Sequence, residues 1–124
     1  MNASNWFSGI SITGPTLPKK SRTRLRAAAG KLRSKVTAVS PWPLRATDVD
    51  VLNHVNNAAS WCAVEDELWR DPPNGRLARA EMEYRGPVDL GDRVELRTNR
   101  RPGELACWLT TDDEVRTSAL VTFR

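Results

Sequence analysis

Ten consecutive residues, Asp48-Val-Asp50-Val-Leu52-Asn53-His54-Val-Asn56-Asn57, hold two carboxylates, the chain's single histidine and three asparagines. Polar groups this dense, set directly before a helix-like run, are costly unless a site uses them. The chemistry open to them is addition to a carbonyl. Asp50 could activate a water or attack directly, and His54, a side-chain type that changes charge near neutral pH, could relay a proton or orient that water. A helix starting at Asn56 or Asn57 adds free backbone N–H groups and the positive end of a dipole, a natural seat for a developing oxyanion.

Blander readings stand beside this one. A lone histidine is more often structural than catalytic, and Asp48 suits a turn or cap better than a reaction. Asp48-x-Asp50-x-x-Asn53 slightly resembles a calcium loop, but Asn53 and Ala59 occupy the positions where glycine and glutamate are required. Cys62 and Cys107 are isolated, in neither a CxxC nor a metal-ligand spacing. Reduced, buried thiols are expected, and with one histidine no metal and no cofactor.

The elements that must hold the loop follow from periodicity. From Asn57 to Arg70, Ala58, Trp61, Cys62, Val64, Glu65, Leu68 and Trp69 recur at helical spacing, and Asp71-Pro-Pro-Asn-Gly75 ends the run. Asn56 or Asn57 can cap its start. Trp61 and Trp69 read as core or interface anchors. Before the loop, Val36 to Thr47 looks extended, with Pro41 and Pro43 forbidding a helix and suiting a strand edge. After Gly75 the period becomes two. Strands are expected at Arg79–Arg85, Arg93–Thr98, Glu104–Thr111 and Val115–Phe123, separated by Gly86–Asp92, Arg101-Pro-Gly103 and Thr111–Glu114 turns. One helix against an antiparallel sheet of about five strands is an α+β fold, with the helix burying its stripe on the concave face.

The 124 residues fit one domain, 40% hydrophobic and 27% charged. No apolar run approaches the roughly 20 residues of a membrane span, and the N-terminus is too broken for a signal segment, so a cytoplasmic chain is expected. The net charge of +4 is unevenly spread: residues 1–47 carry nine Lys/Arg and no acid, whereas residues 48–124 carry ten Arg and fifteen acids. Residues 1–35 therefore read as a basic arm and 36–124 as the domain. Within the arm, Leu25, Ala28, Ala29, Leu32 and Val36 make one stripe of a basic amphipathic helix. It is open to three readings: a solvated linker, docking on an acidic protein, or nucleic acid or membrane contact. The absence of interleaved aromatics counts against single-stranded nucleic acid.

The order strand, helix, strands, with Asp48-Val-Asp50-Val-Leu52-Asn53-His54-Val-Asn56-Asn57 at the first corner and Arg79-Ala80-Glu81 one strand later, resembles the second hotdog of fatty acyl-ACP thioesterases. The resemblance covers about residues 36–124; residues 1–35 more loosely resemble the end of a first hotdog and its linker. It implies a single hotdog domain, its sheet wrapped around one central helix, and a thioester hydrolase acting on acyl-ACP or acyl-CoA to release free fatty acid. It also implies catalytic roles for Asp50, His54 and Glu81, with Asn53, Asn56 and Asn57 around the oxyanion. Three positions depart from the family pattern: Leu52 replaces the catalytic asparagine, Met82 replaces the cysteine beside the glutamate, and Ser60 stands where many relatives have tyrosine. Implied partners are acyl carrier protein or a CoA thioester, and a second hotdog, either a copy or a separate N-terminal half; neither nucleic acid nor a membrane is expected as a partner. The basic arm would suit an acidic carrier. A non-catalytic half that binds acyl groups or dimerises is the alternative, and a hydratase-type hotdog fits the signature less well.

Overall fold

The computed structural model describes residues 12–13 (backbone), 36–52 and 54–124. Expectations for the arm helix and for Asn53 therefore lie outside the described residues. The described elements are strands β1 (Ile12–Thr13) and β2 (Ala38–Pro41), helix α1 (Asn57–Arg70), and strands β3 (Leu77–Tyr84), β4 (Val94–Arg101), β5 (Glu104–Thr111) and β6 (Glu114–Phe123). A 3-10 turn at Ala46–Asp48 interrupts the extended lead-in expected as far as Thr47. The sheet order is β1-β3-β6-β5-β4-β2.

β2, β4, β5, β6 and β3 pair antiparallel, giving the five-stranded sheet expected. The sixth strand, β1, is an addition: it pairs parallel with Ala80 and Glu81 of β3 at one margin. At the other margin β2 ends in Pro41, which has no N–H to offer a further strand. The β5–β6 turn places Asp112 and Asp113 at positive φ, 50° and 64°, the twist that suits a two-residue hairpin.

Period-two alternation sorts each strand between two faces. Ala80 and Met82 of β3, Val94 and Leu96 of β4, Leu105, Cys107 and Leu109 of β5, and Ala119 and Val121 of β6 form the main core with Ala63, Val64 and Leu68 of α1. The helix thus buries its stripe on one face of the sheet. Its far end is tied down by Arg100, whose Nη2 donates to the Glu67 carbonyl at 3.0 Å and to Glu67 Oε1 at 3.1 Å. A cation there also complements the negative end of the helix dipole. The opposite face carries a second, smaller cluster of Ala106, Trp108, Val115 and Leu120.

Of the two cysteines expected to be buried, Cys107 is in the core and Cys62 is exposed. The correction has a simple geometry: Ala59, Ala63, Val64 and Leu68 supply the buried stripe, and Cys62 lies off it. Trp61 packs partly against the core, whereas Trp69 is exposed.

Candidate active site

The polar loop is held by backbone bridges on both sides. Val49 pairs with Val55 and His54 with Asp89. The Asn56 N–H donates to the Asp48 carbonyl and the Val55 N–H to the Val88 carbonyl, both at 2.7 Å. Asp48 is buried, and its Oδ2 accepts the Arg45 N–H at 2.9 Å while Oδ1 meets the Arg45 guanidinium at 3.2 Å. It is a scaffold carboxylate, the turn role expected of it.

Asp50 closes the loop on itself. Its N–H donates to the His54 carbonyl at 2.8 Å, and its Oδ1 accepts from Leu52 N–H at 2.9 Å and His54 N–H at 3.2 Å. Both acceptor contacts use one oxygen, which leaves Oδ2 for water or substrate. A cleft of about 340 Å³ opens beside it, lined by Asp50, His54, Asn57, Ser60, Tyr84 and Arg85 among others. Three residues singled out in the sequence, Asp50, His54 and Asn57, thus meet in one cleft.

The helix start is built as expected. Asn56 is the N-cap, its Oδ1 accepting the Ala59 N–H at 3.2 Å. Asn57 and Ala58 open the first turn, where N–H groups have no intrahelical acceptor. The Tyr84 hydroxyl donates to the Asn57 carbonyl at 2.9 Å. Burial pushes the Tyr84 phenol up to about 12, against a smaller opposing effect of a hydrogen bond with the Trp61 side chain.

Glu81 is not part of the cleft. Ala80 and Met82 face α1, so Glu81 between them faces the other way, where it pairs with Arg79 Nε at 2.5 Å. The carboxylate nearest the imidazole is Asp89, with Oδ1 3.9 Å from His54 Nε2, both side chains about half exposed. Sequence reasoning missed Asp89 because 34 intervening residues and a turn separate it from His54. Leu52 is 71% exposed and is not among the residues that line the cleft. Behind Ser60 and Thr117, between helix and sheet, only about 10 Å³ is open, barely the room of one water. The Cys62 thiol is pushed up by partial burial and then by the Glu65 and Asp48 carboxylates, the reverse of an activated thiolate. Among the described residues no three His, Cys, Asp or Glu side chains cluster as metal ligands.

One helix wrapped by an antiparallel sheet, with the polar loop at the helix start, is the hotdog fold. Residues 32–122 match the acyl-ACP thioesterase C-terminal domain, and the chain belongs to that family. It is 34% identical over 82 residues to an uncharacterized protein of Mycobacterium tuberculosis, found in two strains. That match covers 66% of this chain and 33% of the relative, so the chain spans about a third of the relative's length. Solved structures with the same fold include a Thermus thermophilus thioesterase complexed with coenzyme A and zinc (TM-score 0.57, 23% identity, 72% of this chain and 85% of that one). A probable thioesterase of Escherichia coli aligns at TM-score 0.56 and 23% identity, over 68% and 79% of the two chains. A Staphylococcus aureus protein in complex with CoA aligns at 0.61 and 16%, over 69% and 73%. No described helix is long and apolar enough to cross a membrane.

Proposed function

We propose that this domain hydrolyses the thioester of an acyl-ACP or acyl-CoA and releases a free fatty acid. The observation that carries the reading is the convergence of Asp50, His54 and the α1 N-terminus on one cleft. A water held by Asp50 Oδ2 gives up a proton as its oxygen bonds to the carbonyl carbon. The carbonyl electrons move onto oxygen, where the N–H groups of Asn57 and Ala58 and the helix dipole stabilise the charge. As the tetrahedral species collapses the C–S bond breaks, and the proton that Asp50 took from the water, relayed through His54, goes to the departing thiolate. The products are a carboxylic acid and a thiol. Asp89 holds the imidazole in this scheme, and Glu81 takes no part.

The leaving thiol would be the phosphopantetheine arm common to both carriers. CoA is favoured by the Thermus and Staphylococcus complexes, and ACP by the family match. The acyl chain needs room that the gap behind Ser60 does not offer. A second hotdog would supply it, either a copy of this chain or a separate N-terminal half, and the greater length of the relative accommodates such a half. A second reading, a non-catalytic acyl-binding or dimerising half, is favoured by the solvent-facing Leu52 where the family has asparagine.

Assays of the native assembly on acyl-ACP and acyl-CoA separate these readings. Fatty acid and free thiol should appear together, and Asp50→Asn should abolish both. Hydrolysis unchanged in that variant overturns the assigned role; no hydrolysis by an assembly of two hotdogs favours the non-catalytic half.

A further inference from the structure

A second cleft, of about 460 Å³, shares no lining residue with the one beside Asp50. Two elements build it. Cys62, Glu65, Asp66 and Trp69 stand at i, i+3, i+4 and i+7 of α1, one stripe adjoining the buried one. Trp42 and Pro43 meet that stripe from the segment after β2, where the Trp42 N–H donates to the Val94 carbonyl at 2.9 Å. Two indoles therefore line one groove, and Trp69 is 37% exposed in it.

The charges of the groove do not cancel. Among the described residues Arg45 is the cation that lines it, and its guanidinium is committed to Asp48, 3.2 Å from Oδ1. Asp66 is taken by Arg70. Glu65 is left over: burial pushes its carboxyl up, and among the described residues no cation pairs with it. The Cys62 thiol, pushed up first by burial, senses the same imbalance. Glu65 and then Asp48 push it up further, outweighing Arg45, which pulls it down. A part-buried carboxylate without a partner carries a cost that a bound cation offsets.

The lining also selects the kind of cation. Indole faces attract cations through the ring quadrupole, and quaternary ammonium groups are bound this way. A primary ammonium brings three N–H donors, and Glu65 is the one uncommitted carboxylate here to receive them. A quaternary ammonium brings no donor, so charge and aromatic surface suffice.

We propose that this cleft binds a small soluble quaternary ammonium compound, its cationic head between the Trp42 and Trp69 indoles and beside the Glu65 carboxylate. The site is distinct from the thioester cleft and does not depend on the proposed reaction.

Calorimetric titration of the full chain with choline, at constant ionic strength, should show saturable binding with Kd below about 10 mM. Ethanolamine, and the neutral isostere of choline with carbon in place of nitrogen, should each bind at least about tenfold more weakly. Glu65→Gln and Trp69→Ala should each weaken choline at least about fivefold. Glu104→Gln, outside the cleft, should leave it unchanged. Absence of saturation up to about 100 mM choline overturns the proposal. So does ethanolamine or the neutral isostere binding as tightly as choline, or either cleft variant binding choline like the natural chain. Should Trp69→Ala not fold, Glu65→Gln and the three probes decide alone.

Discussion

The Tyr84 hydroxyl and the Asn57 carbonyl oxygen, 2.9 Å apart, fasten the last residue of β3 to the first residue of α1. The bond fixes how the first-turn N–H groups face the cleft, since a peptide plane cannot turn at its oxygen without turning at the neighbouring nitrogen. Tyr84→Phe removes the donor and keeps the ring. Stability should fall by about 1 kcal/mol in urea denaturation. Turnover should fall about tenfold with KM little changed, because the loss is of alignment rather than of binding surface. An unchanged turnover would remove Tyr84 from the positioning of the oxyanion donors.

The same phenol makes stability depend on alkaline pH. Its folded pKa is raised to about 12 by burial, above the value of about 10 in an unfolded chain. Between these values the unfolded state has lost a proton that the folded state retains, so stability falls as pH rises. The contribution is fully present below about pH 10 and lost through about pH 12. Urea midpoints at pH 9 and pH 11.5 should therefore differ more in the natural chain than in Tyr84→Phe, whose curve should be flatter.

Asp50 has two jobs that separate by substitution. Asn keeps an oxygen for the Leu52 and His54 N–H groups but loses the base; Ala loses both. Asp50→Asn should reduce turnover about 100-fold or more while the melting temperature stays near that of the natural chain. Asp50→Ala should do the same to turnover and also lower stability by about 1–3 kcal/mol, the cost of two N–H groups left without an acceptor. Equal melting temperatures for the two variants would show that the loop does not need this carboxylate.

Leu52 is exposed and does not line the cleft. Leu52→Asn should therefore change stability by no more than about 0.5 kcal/mol and turnover by less than about threefold. Steady-state kinetics check this. A large gain would show that the loop re-forms around an amide and that the natural leucine suppresses activity.

How much of this was legible in the sequence depended on range. The bounds Asn57–Arg70 were readable because Asn56 caps one end and Pro72-Pro73 blocks the other, both local signals. The strand at Glu104–Thr111 was equally plain between two turns. The neighbour relations were not, because β3 pairs with β6 across β4 and β5, and period-two alternation says nothing about partners. β1, two residues long, has no period at all. In the site, Asp50, His54 and Asn57 were legible together because one loop carries them. Glu81 lies outside the cleft: with Ala80 and Met82 both apolar, its place on the opposite face follows from strand geometry. Asp89 was hidden because the Val55–Val88 hydrogen bond, a long-range contact, brings it to His54.

The two margins of the sheet are unlike. β2 ends in a residue without an N–H, whereas among the described residues β3 is paired by β1 at Ala80 and Glu81. Strand-by-strand growth is therefore less favoured at Pro41 of β2 than along a margin whose N–H groups are complete.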